Sequence, residues 1–256
     1  MEVEKLFLVI GAAGNLGPLW CEVLLNSNAQ VVGVGLNCTN DNALQALLLK
    51  YPEKFFVIDA DITKNLPEEL RSLLEVNKVD GVVMNSGIDS VPGSGKSKIT
   101  DYSLNDWVAM LTVNVAGVAN YINQLIPYLK EKSAVVIIGS MYALVSPRAS
   151  FYTHYTSTGG TVKNPAYGAS KAALIAMCKQ YATHLAHKGI RFNMLTPGGV
   201  AGNQDLEFLE KFTEQVPLNR MVEKEELTAS LLFLLSTDSS YITGHNLVAD
   251  GGYSAW

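Results

Sequence analysis

A phenol and an amine stand four residues apart in Tyr167-Gly168-Ala169-Ser170-Lys171, at the start of a long helical pattern. Positions i and i+4 of a helix share one face, one turn apart. Tyrosine ionises near pH ~10 in isolation and is a poor base at neutral pH. A neighbouring ammonium favours the phenolate. Lowering that pKa by about three units takes roughly 4 kcal/mol of differential stabilisation, the order that a lysine with a cationic ring can supply. The pentapeptide reads as an acid/base couple. Tyr-x-x-x-Lys also arises by chance on surface helices, so the surrounding elements must support the reading.

Those elements alternate from end to end. Strand-like apolar runs recur at Leu6–Ile10, Val31–Leu36, Phe55–Ile58, Gly81–Met84, Val135–Gly139, Arg191–Leu195 and Leu247–Ala249. Helical patterns fall near Leu16–Asn26, Asn42–Lys50, Pro67–Val76, Leu104–Tyr128, Ala166–His187, Leu206–Thr213 and Lys224–Ser236. This order implies β-α-β crossovers and a parallel sheet covered on both faces. The expected fold is α/β: a doubly wound Rossmann fold with about seven strands. The alternation runs from end to end without a boundary, so residues 1–256 are expected to form a single domain. At 256 residues, 48% hydrophobic and 17% charged, the chain can bury a substantial core.

A formal charge of −5 without a basic run disfavours nucleic acid as a partner. No apolar stretch is long enough to span a bilayer. Glu2 and Glu4 precede the first apolar run where a secretion signal would want positive charge. Cys21, Cys38 and Cys178 have neither metal spacing nor the density of a disulfide scaffold. His184 and His187 share a helix face without an evident third ligand, so no metal is expected. The expected location is the cytoplasm.

Gly11-Ala12-Ala13-Gly14-Asn15-Leu16-Gly17 follows the first strand and opens a helix. Glycine permits a tight turn and close approach of backbone to phosphate, and the helix N-terminus offers N–H groups and a positive dipole end. The spacing differs from G-x-G-x-x-G, but the strand–turn–helix context fits a nucleotide site. Downstream, Asp61-Ile62 follows the third strand and Asn85-Ser86-Gly87 the fourth. Leu111–Gly117 carries Asn114, Ile137-Ile138-Gly139-Ser140 ends the fifth strand, and Pro197-Gly198-Gly199-Val200 follows the sixth.

Taken together, in this order from about Lys5 to Trp256, these motifs resemble the short-chain dehydrogenase/reductase family in its compact form. The family's glycine motif is Thr-Gly-x-x-x-Gly-x-Gly. Gly11 and Gly17 match it, Ile10 replaces the threonine, Asn15 replaces the middle glycine, and Gly14 sits one position early. Asn tolerates left-handed backbone, so Asn15 is expected to preserve the turn. The resemblance implies a catalytic set of Asn114, Ser140, Tyr167 and Lys171. Tyr167 would exchange the proton. Lys171 would hold the nicotinamide ribose and lower the Tyr167 pKa. Ser140 would orient the substrate oxygen, and Asn114 would hold a water linking Lys171 to solvent. Gly11, Gly14, Asn15, Leu16, Gly17, Asn37, Asp61, Ile62, Asn85, Ser86, Gly87, Tyr167, Lys171, Pro197, Gly198 and Val200 are the expected cofactor contacts.

The resemblance implies NAD or NADP as cofactor. No carboxylate sits at Gly35, where NAD enzymes of the family carry one, and nothing basic is placed for a 2′-phosphate. Asn37 could reach the 2′-hydroxyl, and Asp41 is the nearest acid, so the sequence leans to NAD. Ser140 and Tyr167 are 27 residues apart, whereas the family spaces them by about a dozen. An inserted loop is therefore expected at 147–164, and long loops often serve function. Its Arg148, Tyr152, His154, Tyr155 and Lys163 suit a polar substrate, Arg being apt for an oxyanion. Tyr142, Arg148, Tyr155 and Asn203 join Ser140 as expected substrate contacts.

The stretch at Ser140-Met141-Tyr142, the insertion and the segment Gly199–Asp205 resemble a bacterial subgroup linked to sugar and flagellin-glycan biosynthesis. This points to a small polar sugar-like substrate and to carbohydrate metabolism. By the same resemblance the chain is expected to form a homo-oligomer, a dimer or tetramer. Two other readings stay open. One is a non-catalytic NAD(P)-binding regulator, favoured by reading the turn as Gly-x-x-Gly-x-x-Gly but not by the intact catalytic set. The other is a nucleotide-sugar epimerase or dehydratase, whose usual extra C-terminal domain has no counterpart after Asp250-Gly251-Gly252.

Overall fold

Seven parallel strands form one sheet in the order β3-β2-β1-β4-β5-β6-β7 in the computed structural model, which describes residues 4–90, 95–153 and 162–256. The strands are β1 (Leu6–Ile10), β2 (Gln30–Gly35), β3 (Phe55–Asp59), β4 (Val79–Met84), β5 (Leu129–Ile138), β6 (Arg191–Pro197) and β7 (Asn246–Ala249). Helices α1 (Gly17–Asn26), α2 (Asn42–Lys50), α3 (Glu68–Val76), α4 (Leu104–Leu111), α5 (Val118–Leu125), α6 (Pro165–Leu185), α7 (Leu206–Thr213) and α8 (Thr228–Leu235) lie between them. The doubly wound fold expected from the alternation is present. The strand order reverses between β1 and β4, the place where such sheets bind ligands at their carboxyl ends.

Alternation along β1 assigns its residues to two cores. Leu8 and Ile10 pack with Leu70 of α3, Tyr121 and Leu125 of α5, and Leu174 and Cys178 of α6. Phe7 and Val9 pack on the other face with Trp20 and Leu24 of α1, Leu44 and Leu47 of α2, and Leu231 and Leu234 of α8. Both faces of a parallel sheet are covered, which is why its strands are nearly continuously apolar. A third cluster stands off the sheet and contains Met141, Phe151, Phe212, Val216, Met221 and Tyr253.

The helix expected over Leu104–Tyr128 is not continuous. Thr112–Gly117 winds as a π-helical segment between α4 and α5, and Ile126–Tyr128 tightens to a 3₁₀ turn. One extra residue per turn is the mark of such a segment, and functional positions often carry it. Asn114 sits inside it. Among the described residues, no helix is long and apolar enough to cross a membrane and no three His, Cys, Asp or Glu converge as for a metal ion.

Candidate active site

The first cleft, about 940 Å³, runs across the carboxyl ends of β1, β2, β3, β4 and β5. Its floor is built by backbone. Gly11 lies at φ +87° and Gly14 at φ +116°, in the region that favours glycine. A Cβ on Gly17 would lie 2.1 Å from the Ala12 carbonyl oxygen, so only hydrogen fits where α1 departs. The left-handed position expected at Asn15 falls on Gly14 instead, and Asn15 has no positive φ. The Asn-for-Gly exchange therefore costs the turn nothing. Asn85 locks the turn to β4: it donates Nδ2 to the Gly11 oxygen at 2.7 Å and accepts from Trp20 Nε1 at 3.0 Å.

The helix starting at this turn is left uncapped. Side chains of Asp41, Ser103, Asn164 and Asp205 accept first-turn N–H groups of α2, α4, α6 and α7. Leu16 provides no such bond for α1, and its first turn carries no acid. The first turn of α1 thus has no side-chain partner and begins beside the cleft that Gly14, Asn15 and Leu16 line, a helix start of the kind that suits an anion. Leu16, Asp61, Ile62, Ser86, Gly87, Pro197, Gly198 and Val200 line it as expected from the motifs. Gly17 and Asn37 do not. Gly17 packs inward on Ala12, and Asn37 takes a left-handed φ of 56° before the 3₁₀ turn Cys38–Asn40. Asp41 is occupied as the α2 cap. Gly35, the position aligned with the family's NAD-reading acid, lines the cleft, and Leu36, Ala60 and Thr63 line it unanticipated. Asp61 accepts from the Thr63 backbone and hydroxyl, and these bonds hold its carboxyl below the ordinary range.

The second cleft, about 610 Å³, meets the first at Asp89, Ser90, Ser140, Tyr167 and Gly198. Ser140 follows β5 by two residues and caps the 3₁₀ turn Met141–Ala143, and Tyr167 lies in the first turn of α6. Lys171, one turn on, is buried and donates to the Ile138 oxygen at 3.2 Å. Burial brings its pKa down to about 8. Asn114 is fully buried behind it. It accepts from Ile88 N–H at 2.8 Å and donates to the Ile88 oxygen at 2.8 Å and to Ser170 Oγ at 3.0 Å. A Cβ on Gly87 would touch both Lys171 Nζ (3.1 Å) and Asn114 Oδ1 (3.3 Å), so the two groups converge on one point of backbone.

The Tyr167 pKa departs from the sequence expectation. Burial pushes the phenol above its ordinary value; a hydrogen bond with Ser140 works against that, and the Asp89 charge adds to it. Lys171 does not reverse the shift: its Nζ is 6.0 Å from the ring centroid and bonded to backbone. A second cation lies nearer. Lys163 Nζ stands 4.6 Å from the centroid and pairs with Asp89 at 2.9 Å. That pair ties the loop after β4 to the segment before α6. Val162 reinforces the tie: it donates to the Lys96 oxygen at 2.8 Å and accepts from the Tyr102 hydroxyl at 2.8 Å.

Aromatic and sulfur side chains wall the second cleft: Met141, Tyr142, Tyr152, Phe208, Phe212 and Met221. Tyr142 stands edge-on to Tyr167 with centroids 6.5 Å apart. Of the substrate contacts expected from sequence, Ser140 and Tyr142 line this cleft. Arg148 and Asn203 do not: both are exposed and outside the lining. Arg148 instead lies against Tyr253, where its charge and hydrogen bond partly offset the burial that raises that phenol. Tyr155 and His154 lie outside the described residues. The sequence reading missed Asn164 and passed over Gln204, beside Asn203; both line the cleft. Position alone marked them, Asn164 three residues before Tyr167 and Gln204 in the segment after Pro197-Gly198.

A family model described as enoyl-(acyl carrier protein) reductase matches residues 11–254. The chain is 28% identical over 264 residues to a 3-oxoacyl-[acyl-carrier-protein] reductase of Thermotoga maritima, covering 98% of this chain and 99% of the relative. It is 25% identical over 261 residues to post-translational flagellin modification protein A of Campylobacter coli, covering 99% of each. It spans 44% of the length of another relative, an uncharacterized short-chain type dehydrogenase/reductase of Sinorhizobium fredii, at 29% identity over 266 residues and 99% of this chain. Among solved structures, a short-chain dehydrogenase of Leptospira borgpetersenii with bound NAD+ superposes with a TM-score of 0.83 at 26% identity, covering 98% of this chain and 93% of that one.

Proposed function

The chain belongs to the short-chain dehydrogenase/reductase family, and from that premise we propose that it transfers a hydride between NAD or NADP and a secondary alcohol or ketone, with Tyr167 as the general acid/base. The observation that carries the reading is the meeting of two clefts at Ser140 and Tyr167. The first cleft suits a dinucleotide by its glycine floor and its uncapped helix. Its adenosine end, at Gly35, Leu36 and Asp61, has no Arg or Lys among the described lining residues. That supports NAD, since a 2′-phosphate calls for a cation.

Bound, the cofactor supplies or takes the hydride. The chain's own residues do the rest. Ser140 hydrogen-bonds the substrate oxygen and orients it. Tyr167 gives its proton to that oxygen in reduction and removes it in oxidation. A phenol held above its ordinary pKa is fully protonated at neutral pH, the form reduction consumes. Lys171 holds ribose hydroxyls, and Asn114 fixes Ile88 and the π-helical segment behind it. Met141 and Phe212 give the substrate cleft an apolar wall beside Ser140 and Tyr167.

The substrate is polar and sugar-like on this reading. A relative named for flagellin modification supports it, as does the second cleft, which mixes amide and hydroxyl groups with aromatic walls. Arg148 stands outside the cleft and Lys163 is paired with Asp89, which favours a neutral substrate over a phosphate. Exposed Leu104 and Val108 on α4 and Val248 on β7 support the homo-oligomer expected from the family.

The test is a reductase and dehydrogenase screen at 340 nm with both cofactors against neutral ketones, polyols and amino sugars. Turnover with NAD preferred is expected, and Tyr167→Phe should lower kcat about 10³-fold while cofactor affinity persists. Full activity in Tyr167→Phe would overturn the mechanism, and a strong NADP preference would overturn the cofactor assignment.

A further inference from the structure

Two buried amide atoms in the second cleft have no hydrogen-bond partner among the described residues: Nδ2 of Asn164 and Oε1 of Gln204. Both residues line that cleft together with Tyr142, Tyr167 and Phe208. Asn164 is 3% exposed. Native proteins rarely leave such groups unpaired, and a site awaiting a ligand is one reason that they do.

The orientation of each amide is set by its other end. Asn164 caps α6, its Oδ1 accepting from Ala166 N–H at 2.9 Å. The end left over must be the NH₂, a donor. Gln204 donates Nε2 to the Val200 oxygen at 3.0 Å, so the end left over is the carbonyl oxygen, an acceptor. Flipping either amide would set like partial charges against each other. The two residues come from separate elements, the start of α6 and the loop after β6, yet face one cavity.

Resting on the reading of Tyr167 as acid/base, we infer that Asn164 and Gln204 form a donor–acceptor pair that recognises a neutral hydroxyl of the substrate other than the oxygen being oxidised or reduced. A hydroxyl accepts from an amide N–H and donates to an amide oxygen, so it satisfies both. A carboxylate or phosphate has lone pairs but, ionised, no proton for Gln204 Oε1. A bare hydrocarbon leaves both atoms unpaired. The charges of the cleft agree with a neutral ligand, since Asp89 and Lys163 neutralise each other at 2.9 Å. Aromatic walls would hold the carbon skeleton while the amides read the hydroxyl.

The experiment pairs neutral hydroxyketones, with the hydroxyl one to four carbons from the carbonyl, with their deoxy ketones. The quantity read is the ratio of kcat/KM within each pair. Wild type should prefer at least one hydroxyketone by about tenfold or more, chiefly through KM. Asn164→Asp keeps the helix cap, because a carboxylate accepts from Ala166 N–H, and replaces the donor with an acceptor. Gln204→Met keeps length and removes the acceptor. In each variant the preference should collapse towards unity. Retention of the wild-type ratio, or a wild type that never prefers the hydroxyl, overturns the inference. Should no ketone turn over, the reaction reading fails. The pair is then judged by thermal shift with the same compounds: a hydroxyketone must raise Tm more than its deoxy partner in wild type and lose that advantage in Asn164→Asp. Equal shifts in wild type, or an advantage kept by the variant, overturn it.

Discussion

The two clefts that meet at Tyr167 are built by different means. The first is made of backbone at strand ends: Gly11 and Gly14 at positive φ, the uncapped start of α1, and the Asn85 bonds that pin the turn. The second is made of side chains: Met141, Tyr152, Asn164 and Gln204 from turns and loops and Phe212 from α7, gathered around a small aromatic cluster off the sheet. A backbone site tolerates exchanges that keep the chain path, such as Asn15 for glycine. A side-chain site changes its ligand whenever one loop residue changes. The difference explains how one fold can keep its cofactor and vary its substrate.

Gly17→Ala tests the backbone cleft hardest. Its Cβ would stand 2.1 Å from the Ala12 oxygen, so α1 must shift. A destabilisation of about 3 kcal/mol is expected, together with loss of cofactor affinity. Chemical denaturation and cofactor titration measure the two. A variant as stable as wild type would show that the turn adapts, and the contrast between the clefts would fail.

Lys171 lines the first cleft one helical turn from Tyr167, where the two clefts meet, and its burial has a pH signature. The unfolded lysine titrates near 10.4, the folded one at about 8 because burial disfavours the charge. Between those values the unfolded chain binds the extra proton, so this residue makes stability rise with pH. Below about pH 8 the penalty is full. Lys171→Met should thus be more stable than wild type by about 3 kcal/mol at pH 7, with the gap closing from about pH 8 to 10.4. Denaturation curves of the two proteins across pH check this. A gap that does not vary with pH would mean the lysine is not neutralised on folding.

The smallest effect is expected at Lys163. Its pair with Asp89 is partly exposed, 21% and 66% for the two side chains. Such a bridge contributes on the order of 0–1 kcal/mol. Lys163→Met should leave Tm nearly unchanged and raise KM a few-fold, since only the loops around the second cleft lose their tie. A large fall in stability would make that cleft as structural as the first and sharpen the comparison in the opposite direction.

The same contrast governs what could be read from sequence. The seven strands and the glycine turn were legible because β-α-β alternation and glycine spacing are local patterns. So was the convergence of Ser140 and Tyr167, because each follows a recognisable element. The second cleft was legible only in part. Asn203 was preferred to Gln204 although one step along a loop decides which side chain turns inward. Arg148 was chosen for its charge, yet it lies exposed beside Tyr253. Asn164 read as the edge of an insertion, because helix capping and ligand recognition look alike until the free end of its amide is located. The Tyr167 pKa was misjudged for a related reason: sequence spacing shows that Lys171 is near, but not that burial acts on both groups.

The π-helical segment Thr112–Gly117 sets the angular phase between α4 and α5. An added residue turns everything after it by about 100° relative to a continuous α-helix. On either side of that segment, α4 buries Met110 and leaves Leu104 and Val108 exposed, while α5 buries Val118, Tyr121, Ile122 and Leu125. Deleting one residue there would restore a regular helix and misindex one half against the other. Either Asn114 would swing away from Ile88 and Ser170, or α5 would rotate its apolar stripe off the sheet. The irregularity is a splice between two helical registers, one serving the active site and the other the core.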